Sequence, residues 1–150
     1  MACNIRRLTG RDVPAMRELT AMFSEAFEDS ENYESRPPSD AYLRTLLDRP
    51  DVIVLSAYNE TSAPVGGLVA YVLAKFEQER SEAYIYDLAV AQQHRRRGIA
   101  TDLIRALRRI ARELGVYVIF VQADPPDAPA VALYESLGSR DDVFHFDIPV

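Results

Sequence analysis

A strand, a tight turn and a helix are legible in residues 82–114, and this unit constrains the fold more than any other stretch of the chain. EAYIYDLAV (82–90) is rich in the β-branched and aromatic residues that pack well on a pleated surface. From Ile99 to Leu114 the apolar residues Ile99, Leu103, Leu107, Ile110, Ala111 and Leu114 mark an amphipathic helix, and Gly115 follows as a natural C′ residue. Between the two lies the polar turn AQQHRRRG (91–98). Backbone N–H groups at such a helix start lack intrahelical partners and carry the positive end of the dipole, which makes an anion site. Gly98 and Ala100 let a large anion approach the backbone closely, while Arg95, Arg96 and Arg97 add countercharge. Three arginines alone would be a solvated basic turn. The pattern Arg-x-x-Gly-x-Ala between a buried strand and an amphipathic helix shifts the balance towards phosphate binding. The chain has neither the Gly-Lys-Ser/Thr of a nucleotide P-loop nor the Gly-x-Gly-x-x-Gly of a dinucleotide fold.

The remaining elements alternate around this unit. Asp12 to about Glu28 carries Val13, Met16, Leu19, Phe23 and Phe27 at helical spacing, with Pro14 near the start, where a missing N–H costs little. SRPPSDAYLRTLLD (35–48) reads as a loop and then a short helix capped by Ser39. DVIVLSAY (51–58), the turn NETSAP and VGGLVAYVLA (65–74) form a hairpin, and KFEQERS leads on to the strand from Glu82. VYVIFVQAD (116–124) is a buried strand, APAVALYESLG (128–138) a helix and DVFHFDIP (142–149) a final strand. Helices interspersed with a meander and one strand-helix-strand unit give an α/β (α+β) fold. At 150 residues the expectation is one domain, residues 1–150, burying about two thirds of the surface its unfolded chain exposes.

Charge excludes some functions. A formal net charge of −6 argues against general nucleic-acid binding, which rests on a basic surface. The distribution is uneven, with arginines 95, 96, 97, 105, 108, 109 and 112 gathered in residues 91–112 against the single acid Asp102, and six acids against the single base Arg140 in residues 122–150. A second acidic stretch runs through Glu25, Glu28, Asp29, Glu31 and Glu34, so one segment suits an anion and the others a cation. The single cysteine, Cys3, excludes an internal disulfide framework and suits a reducing compartment, for which the cytoplasm is the expectation. MACNIRRLTG has no signal-peptide core, and no run approaches the roughly 18 apolar residues of a membrane span. No cluster of His, Cys or acids has metal-ligand spacing, so no metal is expected.

YDLAV followed by HRRRGIAT resembles the acetyl-coenzyme A signature of the GNAT N-acetyltransferase superfamily, whose turn pattern is Arg/Gln-x-x-Gly-x-Gly/Ala. Leu133-Tyr134-x-x-Leu137-Gly138 is similar to a later motif of that superfamily. Together, KFEQERSEAYIYDLAV, HRRRGIAT, YVIFVQAD, APAVALYESLG and FHFDI resemble the aminoglycoside 3-N-acetyltransferases of type I, most strongly from about Tyr71 to Ile148. The resemblance implies the GNAT acyl-CoA N-acyltransferase fold, a mixed central sheet flanked by helices in which strands 82–90 and 116–124 are parallel neighbours that splay apart. It implies acetyl-CoA as co-substrate, its pyrophosphate on the turn of Arg95, Arg96, Arg97, Gly98, Ile99, Ala100 and Thr101, and its pantetheine arm along Leu88, Ala89 and Val90. Acetylation of the 3-amino group of aminoglycoside antibiotics by direct attack in a ternary complex, and a homodimer, follow from the same resemblance. Arg105, Arg108 and Arg112 share one helix face and read as a mostly solvated stripe.

Acyl transfer from a thioester to an amine needs an unprotonated amine, a polarised carbonyl and a proton for the leaving thiolate. By analogy with the superfamily, the N–H of Val90 supplies the polarisation. Tyr134, at the superfamily's common tyrosine, can donate the proton, because a phenol near pKa ~10 keeps it at neutral pH. Its alternative is a packing tyrosine with the hydroxyl bonded elsewhere. Asp124, ending a strand near the splay, is the first choice to hold and deprotonate the amine, with Glu82 and Asp87 as rivals on the neighbouring strand. In FHFDI, Phe144, Phe146 and Ile148 take one face and His145 and Asp147 the other, which could line the acceptor pocket. Asp124, Asp127 and Asp147 would attract a polycation, although acids of this kind also simply keep a protein soluble. The stiff PPDAP loop after VQAD departs from the more flexible stretch usual in the relatives. Two other functions stay open: acetylation of a polyamine or protein amine, and a non-catalytic acetyl-CoA binding module.

Overall fold

The computed structural model describes residues 3–150. Five strands build one sheet in the order of the chain: β1 (Asn4–Arg7), β2 (Val52–Tyr58), β3 (Pro64–Lys75), β4 (Arg80–Val90) and β5 (Val116–Val121). The first three junctions are antiparallel, and β4 with β5 is parallel. The helices are α1 (Val13–Phe27), α2 (Ser30–Glu34), α3 (Asp40–Leu47), α4 (Ile99–Glu113) and α5 (Ala128–Glu135). This is the mixed sheet flanked by helices that the sequence predicts. No helix among the described residues is long and apolar enough to cross a membrane.

Both faces of the central strands are covered, which is why VIVL in β2 is a continuous apolar run and does not alternate. Leu19, Met22 and Phe23 of α1 and Leu47 of α3 pack with Val52, Val54, Val69 and Ala89 on one face. Ile99, Leu103, Ile104, Ala106 and Leu107 of α4 pack with Ile53, Leu55, Leu68, Ala70 and Ile85 on the other. Two neighbouring glycines of β3 set these distances. A Cβ on Gly67 would lie 2.5 Å from Leu19 Cδ1, and one on Gly66 would lie 2.9 Å from Ile99 Cγ2. Each glycine therefore lets one helix approach the sheet closely, from opposite sides.

Boundaries follow local chemistry. The Ser39 hydroxyl accepts from the Tyr42 N–H at 3.1 Å and caps α3 as predicted. Glu28 closes α1 in the left-handed region at φ 52°, and Gly115 follows α4 at φ 70°. Three expectations are corrected. The strand expected over 142–149 does not form: residues 139–150 have no regular structure, and Phe144, Phe146 and Ile148 are 91%, 80% and 87% exposed. An alternating apolar pattern makes a strand only where another strand supplies hydrogen-bond partners, and none lies beside this segment. β5 ends at Val121, short of Asp124, and α5 ends at Glu135, short of Gly138. Two short elements, β1 and α2, lie where the sequence offers too few residues for a periodic signal.

Candidate active site

The site begins where two strands part. β4 and β5 pair from Ser81 with Val116 to Ile85 with Val121, and there the pairing stops. β4 continues to Val90, held on its other side by β3 through Leu68 with Leu88, Gly67 with Ala89 and Gly66 with Val90. Leu88, Ala89 and Val90 thus line an opening on the β5 side, the splay that the sequence resemblance implies. Tyr86 has no partner in the β3 register, where Ala70 faces Ile85 and Val69 faces Asp87. The extra residue is a bulge, which re-aims the strand just before the opening.

The turn that follows is tightly organised. The Ala91 N–H donates to the Val65 carbonyl at 2.8 Å, and a 3-10 turn over Gln92–His94 is closed by the His94 N–H on the Ala91 carbonyl at 2.8 Å. Arg96 at φ 61° and Gly98 at φ 80° are both left-handed. That conformation is costly for arginine and free for glycine. The side of Gly98 that a Cβ would occupy is open, with no atom within 4 Å. Buried Ile99 anchors the first turn of α4, and the helix ladder starts with the Asp102 N–H on the Gly98 carbonyl at 3.0 Å. The N–H groups ahead of it, through Ala100 and Thr101, are left for a ligand. An open left-handed turn at the start of a fifteen-residue helix fits a diphosphate. Arg95 is employed differently from its neighbours. Its Nε donates to the Val90 carbonyl at 3.0 Å and its Nη2 to the Ala26 carbonyl at 3.4 Å, so it ties the turn to β4 and to the end of α1. Arg96 and Arg97 are exposed.

Tyr134 sits on α5, half-buried against the α4 side of the core with Leu133 and Leu137. Burial, and then the charge of Asp127, pushes its hydroxyl up to about 12, so it keeps its proton at neutral pH. That hydroxyl has no hydrogen-bond partner among the described residues. Asp127 is the helix cap, its carboxylate accepting from the Ala130 N–H at 3.2 Å. Arg108, read from sequence as solvated, instead donates to the Leu137 carbonyl at 3.0 Å and fastens the end of α5 to α4.

The carboxylates fall into separate environments. Asp87 is half-buried on β4; desolvation raises its pKa, while a hydrogen bond from the Tyr33 hydroxyl pulls the other way. Tyr33 itself, on α2, is held far above the usual phenol range by burial and by Asp87. Glu82 accepts from the Tyr117 hydroxyl and lies 3.9 Å from Lys75 Nζ, while Arg80 stacks 4.0 Å above the Tyr117 ring. It belongs to a surface network. Asp124 is exposed just beyond β5, its carbonyl accepting from the Asp127 N–H at 2.9 Å. His145 and Asp147 hydrogen-bond only to each other, at 2.9 Å, on the exposed C-terminal segment, and the structure does not bring them to the other candidates.

Sequence reasoning missed an aromatic group beside these carboxylates. Tyr84 stacks on Phe120 at 4.6 Å across the parallel pair, meets Tyr86 edge-on at 5.6 Å, and donates to Gln122 Oε1 at 3.1 Å. The parallel pairing of β4 and β5 is the signal that could have found the first contact, since it sets Tyr84 against Phe120. Tyr33 lies in an acidic segment without periodicity and carried no such signal. No group of three or more His, Cys, Asp or Glu among the described residues is arranged to hold a metal ion.

Comparison with known proteins agrees with this geometry. An aminoglycoside acetyltransferase, HMB0005, from an uncultured soil metagenomic sample is 53% identical, with 100% of this chain and 99% of that one covered and a TM-score of 0.97. A second, meta-AAC0020, also from an uncultured soil metagenomic sample and solved in complex with sisomicin, is 34% identical over 99% of this chain and 96% of that one, with a TM-score of 0.90. The catalytic subunit NAA10 of the Arabidopsis thaliana N-terminal acetyltransferase A complex is 38% identical over 109 residues, 71% of this chain but only 48% of the plant protein. The chain thus spans about half the length of that curated relative. The model of the acetyltransferase (GNAT) family matches residues 16–139, and with the splayed strands and the open turn this makes the chain a member of that family.

Proposed function

We propose that the chain acetylates the 3-amino group of aminoglycoside antibiotics with acetyl-CoA, by direct attack in a ternary complex, and so confers resistance in the cytoplasm, with residues 1–150 forming one domain. The observation that carries this reading is the opening between β4 and β5 that leads onto the left-handed turn at Gly98. Similarity to two metagenomic aminoglycoside acetyltransferases, one of them solved with sisomicin, supports the acceptor class. Acetyl-CoA would supply an activated acetyl group as a thioester.

The chain's own residues do the rest. The N–H groups of Gly98 to Thr101, with Arg96 and Arg97, bind the pyrophosphate, and Leu88 to Val90 align the pantetheine arm. The Val90 N–H polarises the carbonyl. Tyr134, its proton held at about 12, donates a hydrogen bond to the developing thiolate. It gives up the proton only as that sulfur becomes the stronger base in a desolvated cleft. Asp124 holds the attacking amine and takes up its proton, directly or through water, with Asp127 adding negative charge to the acceptor side. A second reading of the base is favoured by one observation: Asp87 is half-buried and desolvation raises its pKa, the direction that makes a carboxylate a stronger base.

The test is coenzyme A release by the purified protein with acetyl-CoA, comparing gentamicin, kanamycin and spermidine. Turnover with gentamicin but not spermidine is expected, and the site of acetylation is then mapped by NMR. Turnover with spermidine alone would assign a polyamine acetyltransferase. Coenzyme binding without turnover on any amine would leave only a binding module.

A further inference from the structure

We propose, resting on the acetyl-transfer reading, that Tyr84, Tyr86 and Phe120, with Tyr71 behind them, are a platform on which an amino-bearing sugar ring of the acceptor lies, an amino group of that ring turned to Asp87. The surface exists because β4 is bulged. Val69 and Tyr71 of β3 pack on the α1 side of the sheet, and their partners across the ladder are Asp87 and Tyr84. Directly paired residues share a face. A regular strand would send Tyr86 and Asp87 to opposite faces. The bulge keeps both on this one, the Tyr86 ring lying 5.6 Å from that of Tyr84 and 6.0 Å from that of Tyr71. Phe120 of β5 completes the row, stacked on Tyr84 with the ring planes 17° apart.

These rings are not part of the core. Tyr84, Tyr86 and Phe120 join neither of the clusters beneath α1 and α4, and Tyr86 is 66% and Phe120 37% exposed. Charge decides what they would hold. Asp87 meets no basic side chain among the described residues, and its hydrogen bond there comes from the Tyr33 hydroxyl. Burial, and then the charge of Asp87, raises the Tyr71 hydroxyl above the ordinary phenol range, so the field of the carboxylate reaches the platform. An aromatic face is the negative side of its ring and attracts a cation, and an unpaired carboxylate beside it adds to the attraction. The same face is flat and apolar, which suits the C–H-lined face of a sugar ring. The tyrosine hydroxyls at its rim can bond the ring substituents. An acceptor that is both ring and cation engages every part of this surface, whereas a linear polyamine engages only the charge. Asp87 directly precedes Leu88, so a ring seated here brings its amino group to the mouth of the opening between β4 and β5.

The test uses the full chain with coenzyme A, a dead-end complex in which gentamicin binds without turnover. Protons held over an aromatic face resonate upfield, so titration followed by proton NMR is expected to move ring protons of gentamicin upfield. Tyr86→Ala should remove most of that shift. In steady state, Tyr86→Ala is expected to raise the KM for gentamicin by about 10-fold, the size of one desolvated cation–aromatic contact, with a smaller fall in kcat. Tyr86→Phe, which keeps the ring, should recover most of the affinity. Bound gentamicin whose ring protons do not shift, or a KM indifferent to loss of the Tyr86 ring, would overturn the proposal and leave aminoglycoside acetylation standing. A chain that neither binds nor acetylates gentamicin would overturn both. If Tyr86→Ala no longer binds acetyl-CoA, the shift in the parent chain decides.

Discussion

Asp87 and Asp124 are the same residue type in opposite surroundings, and the difference sets what each can do. Burial makes the folded protein hold the Asp87 proton more tightly than the unfolded chain does. Its contribution to stability is therefore lost as pH rises from its unfolded pKa through the raised folded value, and the cost remains at neutral pH. Asp87→Asn removes that cost and keeps an acceptor for Tyr33, so its Tm at pH 7 should equal or exceed that of the parent. If Asp87 is the base, kcat of the same variant falls by about 100-fold and the acid limb of its pH profile flattens. Asp124→Asn should then raise the KM for the aminoglycoside with a smaller change in kcat. The reverse pattern returns the base role to Asp124. Neither environment was legible in the sequence: both aspartates stand near strand ends, and only the tertiary contact from Tyr33 to Asp87 separates them.

Elements were legible where one stretch carries its own pattern and its own stops. α4 is bounded by Gly98 and Gly115 and faces the core with Leu103, Leu107 and Ala111, so its limits, its buried face and the turn before it could be read directly. The arm after Gly138 has a strand's alternation as well, yet it forms none, because a strand depends on a neighbour that the local sequence does not specify. The closeness of α1 to the sheet was also invisible, since VGGLV shows two glycines but not which helix each admits. Gly67→Ala should therefore destabilise the fold by about 1–3 kcal/mol, the range for overpacking a filled core. Leu19 and Phe23 are both fully buried where the new methyl would lie. Chemical denaturation measures it, and an unchanged midpoint would mean that α1 shifts without cost.

Across the molecule, the proposed function gives the two signs of charge different places. A chain of net charge −6 nevertheless exposes Arg96 and Arg97 at the open turn before α4, while Asp124 and Asp127 are exposed beyond β5, on the side where the proposed function puts the acceptor. A polycationic acceptor attracted by that field should lose affinity as salt screens it, the Debye length falling from about 10 Å at 0.1 M to about 3 Å at 1 M. The KM for gentamicin is expected to rise steeply with ionic strength between low and physiological salt. A flat response would mean that direct contacts, and not the field, hold the drug. The two halves of the site also differ in what mutation can reach. The splay and the turn offer mainly backbone groups, which every residue except proline provides, so most substitutions leave them in place. On the proposed function, Asp87 and Asp124 would act through side chains, each of which a single codon change can replace. In evolutionary terms, the proposed function would leave acceptor choice free to drift from one descendant to another while the coenzyme stays the same.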